Sequence, residues 1–274
     1  VYGSYESYSG IFLVFATLVY ALQIYGDFAG YSYMAIGAAE MLGIHLPKNF
    51  DTPYFAQSIQ EFWRRWHISL STWFRDYVYF PLGGSRCAVW KKYRNVLVVF
   101  LVSGLWHGAM WNFVVWGAIH GLYQIFGGIT KPLREKMLNA LRVDRETASY
   151  RLFRMALTFL LVDFAWLFFR ADGLGAAIAM LRVIFTNLTP TALVGEAFYT
   201  MGLDRQEFWA LLLCTGGMTL IDALRYRGHG ITEWFGRQNW LFRELALAAF
   251  MLIIITFGIW GNGFDASSFI YFKF

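Results

Sequence analysis

The stretch RNVLVVFLVSGLWHGAMWNFVVWGAIHGLYQIFGGIT, Arg94–Thr130, decides the fold. At about 1.5 Å per residue it would form about 55 Å of helix, whereas one pass through a hydrocarbon core needs about 30 Å. We therefore expect the chain to enter the membrane here and to come back. The natural bend is Ser103–Gly108, because two glycines bracket a Trp-His pair there and can release the backbone from a regular helix.

This stretch is apolar almost throughout, yet it carries four polar side chains at the expected membrane depth. They are Ser103, His107, Asn112 and His120. If Arg94 marks the entry face, His107 lies about 20 Å down the first arm. An ionisable residue at that depth indicates a functional site, and a neutral imidazole there can serve as a base. The alternative is a histidine that only hydrogen-bonds a neighbouring helix.

The composition indicates a membrane protein. Hydrophobic residues make up 58% of the 274 residues and charged residues 15%, which lies outside the soluble globular range. The apolar runs are long and continuous. They predict an all-α, polytopic integral membrane bundle with a re-entrant or broken central hairpin. The net charge of +5 comes from basic residues gathered in short loops, as membrane orientation requires, so nucleic-acid binding is excluded.

Further apolar runs predict membrane crossings on both sides of the hairpin. They are Leu152–Phe169, Phe208–Leu224, Leu245–Trp260 and, before the hairpin, Ile11–Tyr25, which Asp27 and two glycines in Gly26–Ser32 interrupt before the apolar pattern resumes at Met34–Ile44. Basic residues gather in Lys131–Arg154 and Arg225–Arg237, so we expect both loops in the cytoplasm and Phe274 outside. No repeat or linker splits the sequence, which predicts a single domain over residues 1–274.

The segment Gln57–Phe80 has a different pattern, that of one amphipathic helix. His67 lies on its polar face, so we expect it to approach the site of His107 from the cytoplasmic side; the alternative is a solvated histidine at the membrane interface. Arg64 and Arg65 are candidates to bind an anionic headgroup or the phosphates of a cytosolic cofactor. Orientation of the chain in the membrane is the alternative for both arginines.

His120 is interpreted as structural, because it lies about 220° around an ideal helix from His107 and so points elsewhere unless the helix is broken. These two histidines lack i, i+3 or i+4 spacing and have no cysteine nearby, so no metal site is predicted. The sequence also lacks a Gly-x-Ser-x-Gly nucleophile elbow and a Walker phosphate loop.

Several motifs resemble the membrane-bound O-acyltransferase family, most closely its bacterial branch for alginate O-acetylation and teichoic-acid D-alanylation. They are QIYGDFAGYSYMAIG at Gln23–Gly37, EFWRRWHISLSTWFRDYVYFPLGG at Glu61–Gly84, GLWHGAMWNFVVWGAIHG at Gly104–Gly121, FFRAD at Phe168–Asp172, and the ending FIYFKF. The second and third are long and ordered, hence specific. Two positions depart from the pattern: Tyr33 stands where many relatives carry Asp, and Ala29 where many carry Ser.

The resemblance implies roles for two histidines. The histidine of the family's Trp-His-Gly motif, regarded as catalytic, corresponds to His107, and the histidine of its Arg-Trp-His motif corresponds to His67. His107 would be the general base, while His67 would position or polarise the donor. The implied activity is O-acyl transfer, with acetyl from acetyl-CoA or another acyl thioester moving towards hydroxyls of an extracytoplasmic polysaccharide. No permanently bound cofactor is expected.

The resemblance also implies partners and a location. The partners are the lipid bilayer, the acyl donor, and an extracytoplasmic polysaccharide or an acetyl-carrying protein; the location is multi-pass in the cytoplasmic membrane. Relatives have several spans before this region, so we expect the domain to lack N-terminal spans. The rival function is a transporter or channel with an intramembrane histidine as relay, although transporters often repeat broken helices in corresponding halves. A purely structural membrane subunit is the third alternative.

Overall fold

The computed structural model describes residues 1–189, 199 and 202–258. Its α-helices are α1 (Gly10–Met41), α2 (Ile59–Arg65), α3 (Ile68–Phe74), α4 (Val89–His107), α5 (Trp111–Ile129), α6 (Lys131–Ala140), α7 (Ala148–Arg170), α8 (Leu174–Thr186), α9 (Arg205–Tyr226), α10 (Ile231–Gly236) and α11 (Trp240–Phe257). Short helical turns of other types cover Tyr2–Ser7, Pro53–Phe55 and Arg75–Tyr79. The chain divides into two units, Val1–Trp209 and Ala210–Phe274.

Four helices are long and apolar enough to cross a membrane: α1, α7, α9 and α11. Together α5 and α6 pass the same test, although the chain bends by 50° between them. The described ranges contain helices and no strand. The predicted fold class, an all-α polytopic membrane bundle, is therefore confirmed.

Helix α1 runs without a break through the region where the sequence predicted an interruption. Asp27 and its neighbouring glycines remain helical and half-exposed. The helix is continuous because its other face is buried, with Leu13 and Tyr20 almost fully enclosed. Near its start, a Cβ atom added at Gly10 would come within 2.7 Å of the Ile184 Cα, so this glycine allows α1 to meet α8 backbone to backbone.

The predicted central hairpin is present, and it consists of α4 and α5. A Cβ atom added at Gly104 would collide with the carbonyl of Phe113, and one added at Gly117 with the carbonyl of Phe100. The two helices thus pack antiparallel with their backbones in close approach. The turn lies at residues 108–110, so Gly104 stays inside a regular helix. Its small size serves packing, not bending.

The prediction of one amphipathic helix over Gln57–Phe80 is wrong. The chain breaks between α2 and α3, and His67 at the break has a left-handed backbone with φ 44°. A preceding loop holds this break open: Asn49 accepts hydrogen bonds from the backbone N–H groups of Ile68 and Ser69 at 3.0 and 3.2 Å. These contacts supply partners for backbone groups that a continuous helix would have paired internally.

The second unit contains most of α9 together with α10 and α11. The predicted crossings Phe208–Leu224 and Leu245–Trp260 correspond to α9 and α11, with Trp260 outside the described residues. Apart from Asp222, which is buried in α9, side chains of these helices are largely exposed within the chain. Exposed apolar helices of this length suit a lipid environment.

Candidate active site

His107 is the last residue of α4, immediately before the hairpin turn. Aromatic rings surround its imidazole on several sides, with ring centroids 4.9 Å away at Trp106, 5.1 Å at Trp116 and 5.3 Å at Phe169. Each of these rings meets the imidazole nearly edge-on. The imidazole therefore lies in an apolar aromatic shell that the hairpin and α7 build together.

Asn112 fixes this shell from the start of α5. The side chain is fully buried, and its amide donates hydrogen bonds to the carbonyls of Phe168 at 3.2 Å and Ala171 at 3.1 Å. Both carbonyls lie at the end of α7, where a helix has no internal donors left for its last C=O groups. These two hydrogen bonds therefore connect the hairpin to α7 next to Phe169. The sequence showed Asn112 as a polar residue at depth but assigned it no role.

His67 is 8% exposed, and its ring lies edge-on to Phe28 at 4.7 Å. Burial, and to a lesser extent the nearby His107, lowers the pKa of His67 to about 3. His67 is therefore neutral at physiological pH, and it lies close enough to His107 to respond to its charge. The burial of His67 does not fit the alternative of a solvated histidine at the interface, and its approach to the site of His107 from the cytoplasmic side stays a prediction.

His120 is fully buried, and it too belongs to this region. Its Nδ1 accepts a hydrogen bond of 3.2 Å from the indole nitrogen of Trp63. Trp116 lies between His120 and His107, with ring centroids 5.3 and 5.1 Å from them. The angle of about 220° estimated from sequence applies to a single helix. Since the chain reverses at residues 108–110, His120 returns to the same region of the structure.

A cavity of about 1150 Å³ lies among α2, α3, α4, α5 and α7. Six basic side chains line it, and none of its lining residues in the described ranges is acidic. They are Arg64, Arg75, Lys92, Lys131, Arg134 and Arg154. Arg75 and Lys131 pair with neighbouring carboxylates, and Arg154 donates to the Gln57 carbonyl. Such a cavity suits a ligand that carries several negative charges.

The two arginines predicted to hold a donor lie in different surroundings. Arg64 lines the cavity. Arg65 is not among its lining residues; it pairs with Glu61 at 2.8 Å and donates to the carbonyl of Asp51 and the hydroxyl of Thr52. Successive residues point about 100° apart on a helix, so adjacent side chains readily separate in this way. The geometry thus favours Arg64 as a ligand contact, and it gives Arg65 a link to the preceding loop.

The cavity does not extend as far as His107 or His67, neither of which lines it. Trp63, Phe100 and Ser103 form part of its wall. The Trp63 ring lies 5.8 Å from the Trp116 ring, which in turn touches His107. On the side of Trp63, two indole layers therefore lie between the basic cavity and the imidazole. The described residues hold no cluster of three or more possible metal ligands.

The sequence profile of MBOAT, the membrane-bound O-acyltransferase family, matches residues 3–158, which include all three of these histidines. The chain is 46% identical over 169 residues to the "Probable alginate O-acetylase" of Azotobacter vinelandii, covering 62% of this chain and 32% of that protein. Identity is 42% over 166 residues with the peptidoglycan O-acetyltransferase of Helicobacter pylori, covering 61% and 30% respectively. It is 40% over 112 residues with the teichoic acid D-alanyltransferase of Streptococcus thermophilus, covering 38% and 27%. The chain spans about a third of the length of these curated relatives.

Proposed function

Because the chain belongs to the membrane-bound O-acyltransferase family, we propose that it transfers an acyl group, in the first place acetyl, from a cytosolic thioester to hydroxyls of an extracytoplasmic polysaccharide. The observation that carries this proposal is the arrangement of His107. The imidazole lies in a partly buried aromatic shell, and the indoles of Trp63 and Trp116 lie between it and the wall of a large basic cavity. A base at such a boundary can serve a donor and an acceptor that arrive from opposite sides.

In this proposal His107 acts as general base. The acceptor hydroxyl oxygen forms a bond with the thioester carbonyl carbon, and the carbon–sulfur bond breaks. The hydroxyl proton moves to His107 and then to the departing thiolate, so the reaction leaves the enzyme unchanged. The buried rings of Trp116 and Phe169 support this role, since they limit the access of water that would otherwise compete with the acceptor.

The donor is an acyl thioester such as acetyl-CoA, and it acts as a substrate with no permanently bound cofactor. The six basic side chains of the cavity would hold its phosphates through charge-assisted hydrogen bonds. Arg64 is the favoured contact, because it lines the cavity and forms no ion pair with a described carboxylate. His67, at the strained break between α2 and α3, would position the donor carbonyl.

The acceptor is proposed from the names of the relatives, which act on alginate, peptidoglycan and teichoic acid. A polysaccharide hydroxyl, or a hydroxyl on an extracytoplasmic protein that carries the acetyl group onward, fits the same chemistry. This route requires the cytoplasmic membrane as the location.

The test replaces His107 in the full chain, including any segment that precedes Val1 in the cell. Membranes would be supplied with radiolabelled acetyl-CoA and assayed for labelled polymer. His107→Gln keeps a hydrogen-bonding group but cannot take the proton, so transfer should fall about 10²- to 10⁴-fold. His45→Gln changes an exposed histidine and serves as the matched control. Transfer above about a tenth of the wild-type rate in His107→Gln would remove His107 from the role of base.

A further inference from the structure

Of the two indole rings between the cavity wall and the imidazole, Trp63 has room to move and Trp116 does not. Trp116 is 1% exposed, and it is enclosed by His107, Trp166 and Phe169. Trp63 is only half-buried, and one side of it faces the cavity. Packing density therefore holds Trp116 in place, whereas Trp63 has free volume beside it. Trp63 is the layer that an incoming acyl group would displace.

One hydrogen bond holds the Trp63 indole against this wall. The indole nitrogen donates to Nδ1 of His120 at 3.2 Å, across 57 positions of sequence. Because Nδ1 accepts, the ring proton of the neutral imidazole lies on Nε2. The bond thus connects a residue of α2, on the cavity wall, to the interior of α5.

Packing alone does not account for a histidine at position 120. Its Nε2 is buried and has no hydrogen-bond partner among the residues that the structure describes. A buried donor without an acceptor costs free energy that a leucine of similar size would avoid. The part of the side chain that has a partner is Nδ1, which accepts from Trp63.

We propose that His120 is a positioning residue, which holds the Trp63 indole as a gate between the basic cavity and His107. With the gate in place, water and donor stay on the cavity side of Trp116. When the acyl end of the donor displaces the Trp63 ring, the thioester reaches the imidazole. This inference rests on the proposed acyl transfer, and it assigns to His120 a role that the sequence did not predict.

A matched pair of substitutions at one position provides the test. His120→Asn keeps an acceptor oxygen near the place of Nδ1, and His120→Leu has nearly the same size without any acceptor. Both full-length proteins, in membranes, would receive radiolabelled acetyl-CoA with and without acceptor polymer. The assay measures acyl transfer and the hydrolysis of acetyl-CoA in parallel.

We expect His120→Leu to raise the ratio of hydrolysis to transfer by about 2- to 10-fold, the effect of one net hydrogen bond. His120→Asn should remain close to wild type, and KM for acetyl-CoA should change little in either variant, since the basic side chains are intact. A purely structural role would lower hydrolysis and transfer together. If the ratio of hydrolysis to transfer is the same in His120→Asn, His120→Leu and the wild-type protein, the proposed gate is wrong.

Trp63→Phe tests the same bond from its other end and keeps the test decisive if His120→Leu fails to insert. It keeps an aromatic ring but removes the indole N–H, so it should raise the ratio as His120→Leu does. Trp73→Phe, at a half-exposed tryptophan off the cavity, is its control. If wild-type protein transfers no acetyl group, the proposed function fails and the gate fails with it. If wild type is active and Trp63→Phe keeps the wild-type ratio, only the gate fails.

Discussion

The side chain of Asn112 and the backbone carbonyl of Phe168 meet at 3.2 Å inside the protein, across 56 positions of sequence. The bond joins the first turn of α5 to the last turn of α7. The next residue after Phe168 is Phe169, whose ring touches His107. The position of the candidate base therefore depends on an amide that does not touch it.

Replacing Asn112 should destabilise the protein and reduce activity together. Asn112→Leu leaves the carbonyls of Phe168 and Ala171 buried without their donor, at about 1–3 kcal/mol each. We expect a lower thermal unfolding midpoint in detergent and acyl transfer reduced at least several-fold. Asn139→Leu, at an exposed asparagine of α6, is the control. A normal midpoint in Asn112→Leu would show that the bond contributes little.

Arg64 and Arg65 should give different phenotypes although they are neighbours. Arg64→Gln removes a cavity-lining charge, so it should raise KM for acetyl-CoA by about 3- to 10-fold with a smaller change in kcat. Arg65→Gln breaks the link to Glu61 and the preceding loop and should mainly lower stability. Steady-state kinetics and thermal unfolding of both variants separate the two effects. If both variants change KM for acetyl-CoA equally, Arg64 is no more a donor contact than Arg65 is.

The two glycines where α4 and α5 approach should not tolerate alanine. A Cβ atom at Gly104 or Gly117 would meet a backbone carbonyl of the opposite helix, which cannot swing aside as a side chain can. We expect each alanine variant to cost about 1–3 kcal/mol of stability. Gly37→Ala is the control, because its Cβ atom would have open space and alanine favours a helix. The thermal unfolding midpoint in detergent measures this cost. If the midpoint of Gly104→Ala is no lower than that of Gly37→Ala, the backbones of α4 and α5 do not approach as closely as described.

Topology can be tested in the segments that precede and follow α7. Its 23 residues span about 35 Å, enough for a hydrocarbon core. With Cys87 and Cys214 replaced, a single cysteine at Ala140 should be protected from an impermeant reagent in intact cells, while one at Asp172 should react. Both positions are exposed in the structure, so burial would not explain protection. Labelling of position 140 from outside would contradict the predicted cytoplasmic loop.

The sequence predicted those features that depend on length and local composition. The apolar run around His107 is too long for one crossing, and this is why the hairpin could be predicted. The conformation of His67 could not, because the break beside it depends on hydrogen bonds from Asn49, which belongs to a separate loop. No local pattern distinguishes that break from a continuous amphipathic helix.

The site itself required the tertiary structure. The cavity takes its six basic side chains from several separate segments, and each of them alone looks like a signal for membrane orientation. His120 was set aside because its angle was calculated on one unbroken helix. Its bond to Trp63 could have been suspected only once the hairpin turn at residues 108–110 was known. The glycines and the Trp-His pair were the available signal, but they did not fix where the chain reverses.

The two indole layers bear on how well the membrane would hold its ion gradients during the proposed transfer. A transferase that passes an acyl group from one side of a membrane to the other must not offer ions the same route. Each elementary charge that leaks across 100 mV dissipates about 2.3 kcal/mol of the stored electrochemical potential. The rings of Trp63 and Trp116 lie 5.8 Å apart, between the wall of the basic cavity at Trp63 and the imidazole of His107. In the proposed transfer these rings would act as an electrical insulator, because an uncharged acyl group can lie between them, whereas a hydrated proton or sodium ion would have to give up its water.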